Sequence, residues 1–246
     1  MIIGGLEKFS LIDYPGELSA VIFTQGCNFK CPFCHNPMLV DASLEAGKKE
    51  NKLRFSEERE GHPFVKKGDL FDFLKSRIDK LDGVVVTGGE PTIHKDLPQF
   101  LSEIKEMGFK IKLDSNGSNP EVLDFLIKQG MVDFLAMDIK GDPDKYKEAV
   151  GVDLDFSVIR KSVKIIMSSS ILYEFRTTLV PDLVGEKEIK KIGTEIKGAD
   201  KWCLQKFISH TPLVNQDFRK KRSLPEEEVE NLKKIASGYV SNLELR

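Results

Sequence analysis

Three of the chain's four cysteines fall within the run "QGCNFKCPFCHNP", residues 25–37. Their spacing is Cys27-x3-Cys31-x2-Cys34, while Cys203 stands apart inside the apolar run "KWCL". Gly26 precedes the triplet and Pro32 disfavours a regular helix through it, so the segment is expected as a loop able to turn several sulfurs towards one point. Three chemistries compete. Structural disulfides would leave an odd thiol, and the first residues, "MIIGGLEKFS", lack the basic and apolar regions of a signal peptide. Zinc needs a fourth ligand; His35, adjacent to Cys34, is awkwardly placed, so Cys203 or His210 would have to fold over. A cubane iron–sulfur cluster normally takes four thiolates, so three nearby cysteines would leave one iron open to a small molecule. An electron carrier would more naturally close all four positions, so the three-cysteine set favours catalysis.

Further polar residues sit at the ends of apolar runs. Gly88 and Gly89 in "TGGEP" lack side chains, which allows close backbone approach to a ligand, although a tight turn explains them equally. Asp114, Ser115 and Asp138 offer hard oxygen atoms, with helix capping as the structural alternative. Lys140 and Arg176 are cations expected at strand ends; burial without a partner is costly, so an anionic ligand or a salt bridge should meet each. Cys203 is expected as a buried structural thiol.

The elements that must position these residues follow from hydrophobic patterning. Strands are expected at 19–26, 83–89, 109–115, 133–140, 171–180 and 201–207, several as continuous apolar runs suited to parallel strands buried on both faces. Helices fit 69–81, 156–168 and 186–197. "SNPEVLDFLIKQG" places Pro120 first and Gly130 just beyond its end, and Asp96 with Gln99 and Ser223 with Glu226 look like capping pairs. Six strand–helix alternations predict an α/β fold, a partial, open (β/α)6 TIM-like barrel of parallel strands or a doubly wound sheet. Loops at the carboxyl ends of such strands are where active sites collect. One domain over 1–246 is expected, with a core at about 15–210, an irregular charged insert at 41–68 and a C-terminal helix within 223–246.

Composition excludes little else. Of 246 residues, 40% are hydrophobic and the formal net charge is −2, which gives no general attraction to nucleic acid or an anionic membrane. No apolar run reaches the roughly 18 residues needed to cross a bilayer, and a cytoplasmic location is expected. "RKKR" (219–222) is expected as a solvated loop, or as a docking point for an acidic partner.

Cys-x3-Cys-x-Phe-Cys resembles the signature of the radical S-adenosylmethionine enzymes. "TGGEP" (87–91), "LDSNGS" (113–118), "MDIK" (137–140) and "YEFRTT" (173–178) resemble, in order, further family segments of glycyl-radical activating enzymes. "GCNFKCPFCHNPMLV", "LDGVVVTGGEPT", "KLDSNGSNPEVLDFL" and "VDFLAMDIK" together resemble most the longer anaerobic ribonucleoside-triphosphate reductase activating proteins, over about residues 10–210. The resemblance implies an oxidoreductase in which Cys27, Cys31 and Cys34 hold a [4Fe–4S] cluster with one open iron. S-adenosyl-L-methionine chelates that iron and is reductively cleaved to a 5′-deoxyadenosyl radical, which removes hydrogen from a glycine of a partner enzyme. It further implies cofactor contacts from Phe33, His35, Gly88, Gly89, Glu90, Pro91, Asp114, Ser115, Asn116, Asp138, Lys140, Arg176 and Gln205, and a monovalent cation at Asp114, Ser115 and Asp138. The implied partners are a glycyl-radical enzyme, foremost an anaerobic ribonucleotide reductase, and a one-electron donor such as flavodoxin or ferredoxin. Activation of pyruvate formate-lyase, a small-molecule radical reaction, and a non-catalytic iron–sulfur or metal-binding module are the alternatives.

Overall fold

A computed structural model describes residues 1–40 and 64–246. Among these residues eight strands follow one another in chain order in a single sheet, β1 (Ile3–Ser10), β2 (Ser19–Thr24), β3 (Gly83–Gly88), β4 (Lys110–Ser115), β5 (Phe134–Asp138), β6 (Leu172–Leu179), β7 (Lys201–Lys206) and β8 (Asn242–Leu245). Among the described residues, seven α-helices accompany them: α1 (Lys67–Lys75), α2 (Leu97–Lys105), α3 (Pro120–Lys128), α4 (Tyr146–Val150), α5 (Phe156–Met167), α6 (Glu186–Glu195) and α7 (Glu226–Ala236). This is the open α/β arrangement expected from the six strand–helix alternations, extended by two strands that the patterning misses. The chain packs as two compact units, the first made of Met1–Asn28, Met38–Ser115 and Phe125–Leu135, the second of Phe29–Pro37, Asn116–Asp124 and Ala136–Arg246.

In the first unit β2, β3 and β4 are parallel, with Ser19 opposite Gly83, Thr24 opposite Gly88 and Val86 opposite Leu113. Their apolar, mostly β-branched side chains explain the pairing: Ala20, Ile22, Val84, Val85, Val86, Ile111 and Leu113 are all fully buried. Helix α2 buries Leu97, Phe100, Leu101 and Ile104, one apolar stripe at helical spacing. Each such apolar side chain contributes about 1.5–3 kcal/mol by leaving water. Strand β1 lies antiparallel to β2, where two glycines and exposed charges conceal its alternation.

In the second unit β6, β7 and β8 are parallel, Arg176 lying opposite Cys203 and Cys203 opposite Glu244. The C-terminal stretch expected as a helix therefore holds α7 and then a strand, anchored where Arg246 donates two bonds to the fully buried Glu174, at 3.0 and 2.9 Å.

Several local expectations need correction. The 41–68 insert lies outside the described residues as far as residue 63, but Val65 already bridges to Ile3 and α1 begins at Lys67. That helix ends at Lys75 and turns follow to residue 80, because Asp79 adopts a left-handed φ of 63° that no helix continues through. Asp96 makes no side-chain cap; it takes the N-terminal ammonium instead, at 2.5 Å. Ser223 likewise caps nothing and donates to the Phe207 carbonyl at 2.6 Å, while α7 starts after Pro225. Proline at the first helical position of α3 holds as expected, and Gly130 closes that helix at φ 61°.

Candidate active site

In the first unit, the ends of β2 and β3 are joined by backbone bonds that run beyond the paired strands. Gly89 N–H donates to Thr24 O at 2.9 Å and Glu90 N–H to Gly26 O at 2.8 Å, while Gly26 N–H reaches Leu39 O at 2.8 Å and Cys27 N–H reaches Val40 O at 3.3 Å. Both glycines are needed for this junction. Gly88 has φ 118°, and a Cβ there would lie 2.2 Å from Thr24 N; a Cβ on Gly89 would lie 1.9 Å from Gly26 O. These contacts are with backbone, which cannot swing aside, so the close approach allowed by the Gly-Gly pair is to the start of the cysteine loop itself.

Glu90 is almost fully buried, and its Oε1 accepts from Thr92 N–H at 3.1 Å and from the Ser115 hydroxyl at 2.9 Å. The carboxylate thus ties the β3 turn to the end of β4. Pro91 is buried at the start of the short helical turn that follows. Asp114 is ion-paired with Lys112, a buried lysine in the middle of β4 that the motif comparison passes over. A charged residue inside an apolar strand was the signal that could have flagged it.

In the second unit, Cys31 and Phe33 are buried while Cys34 and His35 are half-buried. Burial pushes the Cys31 thiol up to about 12, with Lys140 the largest opposing influence. Cys34 is also raised by burial, opposed by its hydrogen bond from the Asn36 backbone and by Lys140. Lys140 is therefore the cation that both sulfurs feel. It donates to Asp138 Oδ2 at 2.8 Å, and Arg176 Nε donates to Asp138 Oδ1 at 2.8 Å. Burial works against the Asp138 carboxylate, but Arg176 and Lys140 outweigh it and hold the group well below the usual range. Burial likewise opposes the Lys140 ammonium, yet Asp138 raises it above its ordinary value. Asp138 thus holds both cations in place from one carboxylate. Lys140 is fixed further by its own backbone N–H, which donates to the Tyr146 hydroxyl at 3.2 Å; Tyr146, on the unforeseen α4, has no sequence signal beyond being aromatic.

Asn116 is buried and its Oδ1 accepts from Ser118 N–H at 2.9 Å, a local turn bond. Gln205 lies half-buried on β7 opposite Thr178. Cys203 is fully buried among strand residues and its thiol is pushed up to about 11 by that burial, the behaviour of an inert core thiol. Asp114, Ser115 and Asp138 are each engaged by protein groups, Lys112, Glu90 and the Lys140–Arg176 pair respectively. Among the described residues, no three His, Cys, Asp or Glu side chains already stand as a metal cage. Among the same residues no helix is long and apolar enough to cross a membrane.

A family model described as the radical SAM superfamily matches residues 21–191. The chain belongs to that superfamily. It is 36% identical over 252 residues to a Methanocaldococcus jannaschii protein named "Putative glycyl-radical enzyme activating enzyme", covering 100% of this chain and 95% of that one. It is 33% identical over 203 residues to the pyruvate formate-lyase-activating enzyme of Clostridium pasteurianum, covering 79% of this chain and 76% of that one. Among solved structures, SuiB of Streptococcus suis superposes with a TM-score of 0.62 at 15% identity, over 92% of this chain and 48% of SuiB. The chain thus spans about half of SuiB. QueE from Escherichia coli superposes with a TM-score of 0.53 at 16% identity, over 100% of this chain and 93% of QueE. At these identities the structural likeness concerns the fold.

Membership implies a [4Fe–4S] cluster and S-adenosylmethionine. The donor chemistry fits: Cys27, Cys31 and Cys34 are soft sulfur ligands of one loop.

Proposed function

We propose that this protein is an activating enzyme that installs a glycyl radical on a partner enzyme. The observation that carries the reading is the Asp138-centred pair of cations, Lys140 and Arg176, with Lys140 also acting on the Cys31 and Cys34 sulfurs. Sulfur ligands and a pair of cations fixed by one carboxylate suit an iron–sulfur cluster together with a substrate that carries a carboxylate. When bound, the cluster and S-adenosylmethionine supply a 5′-deoxyadenosyl radical by one-electron cleavage of the sulfonium.

Within this reading Cys27, Cys31 and Cys34 hold three irons. Lys140 and Arg176 hold the methionine carboxylate, and Asp138 fixes both cations so that little reorganisation accompanies binding. The carbonyls around Gly88 and Gly89 accept from the methionine amino group. Phe33, His35, Asn116 and Gln205 line the nucleoside side, whereas Glu90, Pro91 and Ser115 act by bracing the turn. A monovalent cation at Asp114, Ser115 and Asp138 would have to share its carboxylates with Lys112, Lys140 and Arg176, so the proposal does not depend on one.

The motif resemblance favours an anaerobic ribonucleotide reductase as partner, and the relatedness to pyruvate formate-lyase-activating enzymes favours a lyase. Anaerobic incubation of the reconstituted, reduced protein with S-adenosylmethionine should release 5′-deoxyadenosine and methionine. Adding each candidate partner in turn should give a glycine-centred doublet by electron paramagnetic resonance with one of them. Cys34→Ala should abolish cluster assembly and cleavage together, while Cys203→Ala leaves both. Cleavage at the wild-type rate in Cys34→Ala would refute the cluster assignment.

A further inference from the structure

The cysteine loop is gripped from two sides by residues that belong to none of the recognised motifs. On one side Lys30 N–H donates to Val150 O at 2.8 Å, at the end of α4. The next residue, Gly151, closes that helix in the left-handed region at φ 69°. A Cβ on Gly151 would lie 2.4 Å from Lys30 O and 2.9 Å from its carbonyl carbon. Those atoms belong to the peptide that joins Lys30 to Cys31, so relief of the collision must displace Cys31.

On the other side, the segment after β7 reaches back to the loop. Asn215 N–H donates to Pro32 O at 2.9 Å, and the Thr211 hydroxyl meets His35 Nδ1 at 3.0 Å. The Phe207 ring lies 6.0 Å from the His35 ring, centroid to centroid. Within the loop, Cys34 N–H donates to Cys31 O at 3.1 Å. These anchors therefore fall on Lys30, Pro32 and His35, the residues beside the sulfurs, and hold the backbone in place without using a thiol.

We propose that Gly151 and Thr211 are positioning residues for the cluster: Gly151 lets the Lys30–Cys31 peptide lie against the end of α4, and Thr211 holds His35 and with it Cys34. The inference deepens the reading above and rests on it. A ligand set fixed in advance by neighbouring hydrogen bonds binds metal more tightly, and loss of such support typically costs 10–100-fold in affinity.

The test compares wild type, Gly151→Ala, Gly130→Ala, Thr211→Val and Thr211→Ser after anaerobic reconstitution. Iron and sulfide content, the rate at which a chelator strips iron, and the thermal transition of each apo-protein are measured. Gly130 is a matched control: it closes α3 at φ 61°, but a Cβ there meets nothing within 4 Å. Gly130→Ala should lower the transition and keep the wild-type stripping rate, whereas Gly151→Ala should lose iron about tenfold faster. Thr211→Val should also lose iron faster, and Thr211→Ser, which keeps the hydroxyl, should restore retention. Should Gly151→Ala fail to fold, the Thr211 pair decides. Wild-type retention in both Gly151→Ala and Thr211→Val would overturn the inference and leave the functional reading standing. Equal losses from Gly130→Ala and Gly151→Ala would assign the effect to helix-end strain and overturn the role of Gly151. A wild-type protein that takes up no cluster would overturn the functional reading, and this inference with it.

Discussion

Asp138 is the residue on which the charge arrangement turns, because Lys140 and Arg176 both donate to it. Replacing it by Asn keeps the shape and removes the negative charge, leaving two cations in a partly buried corner. For a fully buried pair the loss runs to 3–5 kcal/mol; with about a fifth of each partner exposed, we expect about 2 kcal/mol. The pH dependence has a definite sign. Because the folded pKa of Asp138 is depressed, its stabilisation is complete above the unfolded value of about 4 and is lost as pH falls through the lower folded value. Urea titrations of wild type and Asp138→Asn should therefore converge as pH drops below about 4, and parallel curves across that window would contradict the pairing. The residues themselves were only partly legible. The cysteine triplet and the Gly-Gly turn are local patterns in contiguous sequence. That Glu90 is tied to Ser115 across 25 positions, or Asp114 to Lys112, depends on side-chain directions that spacing does not reveal.

Among the elements, β2 to β7 were legible because strands buried on both faces are predominantly apolar, even where a charge such as Lys112 or Glu174 interrupts the run. The two strands that were missed lack that imprint. In β1, Gly4 stands where a Cβ would come within 2.5 Å of Leu39, and residues 7–9 are exposed, so neither a continuous apolar run nor an alternation survives. In β8 only four residues pair, and what secures them is an ion cluster: Arg246 donates to both Glu174 and Glu244, and Lys201 joins them. Glu174 is fully buried, so its charge needs that company. Arg246→Ala should destabilise the protein by about 3 kcal/mol, the cost of leaving a buried carboxylate short of its bidentate partner. Glu174→Gln in the same background should recover part of the loss. Differential scanning calorimetry on the single and double variants measures the coupling; additive losses would mean that β8 is held by its backbone bonds alone.

At the scale of the whole molecule, the question dividing an enzyme from an electron carrier is whether S-adenosylmethionine binds only when the cluster is present. A ligand that binds the native state alone stabilises it by about 2.7 kcal/mol at a hundredfold excess over its dissociation constant. Anaerobic reconstitution should therefore raise the thermal transition, since Cys31 is buried and the loop that carries it is anchored to the fold. Chelation should reverse the rise. S-adenosylmethionine should then add a second increment to the loaded protein and far less to the apo-protein, which on the proposed reading keeps Lys140 and Arg176 for its carboxylate but lacks the open iron. Arg176→Ala should keep the first increment and lose most of the second, which separates cluster assembly from substrate binding within one measurement. A carrier with every iron ligated would show the first increment and be indifferent to the sulfonium. That outcome would leave the fold intact and remove the activating reaction.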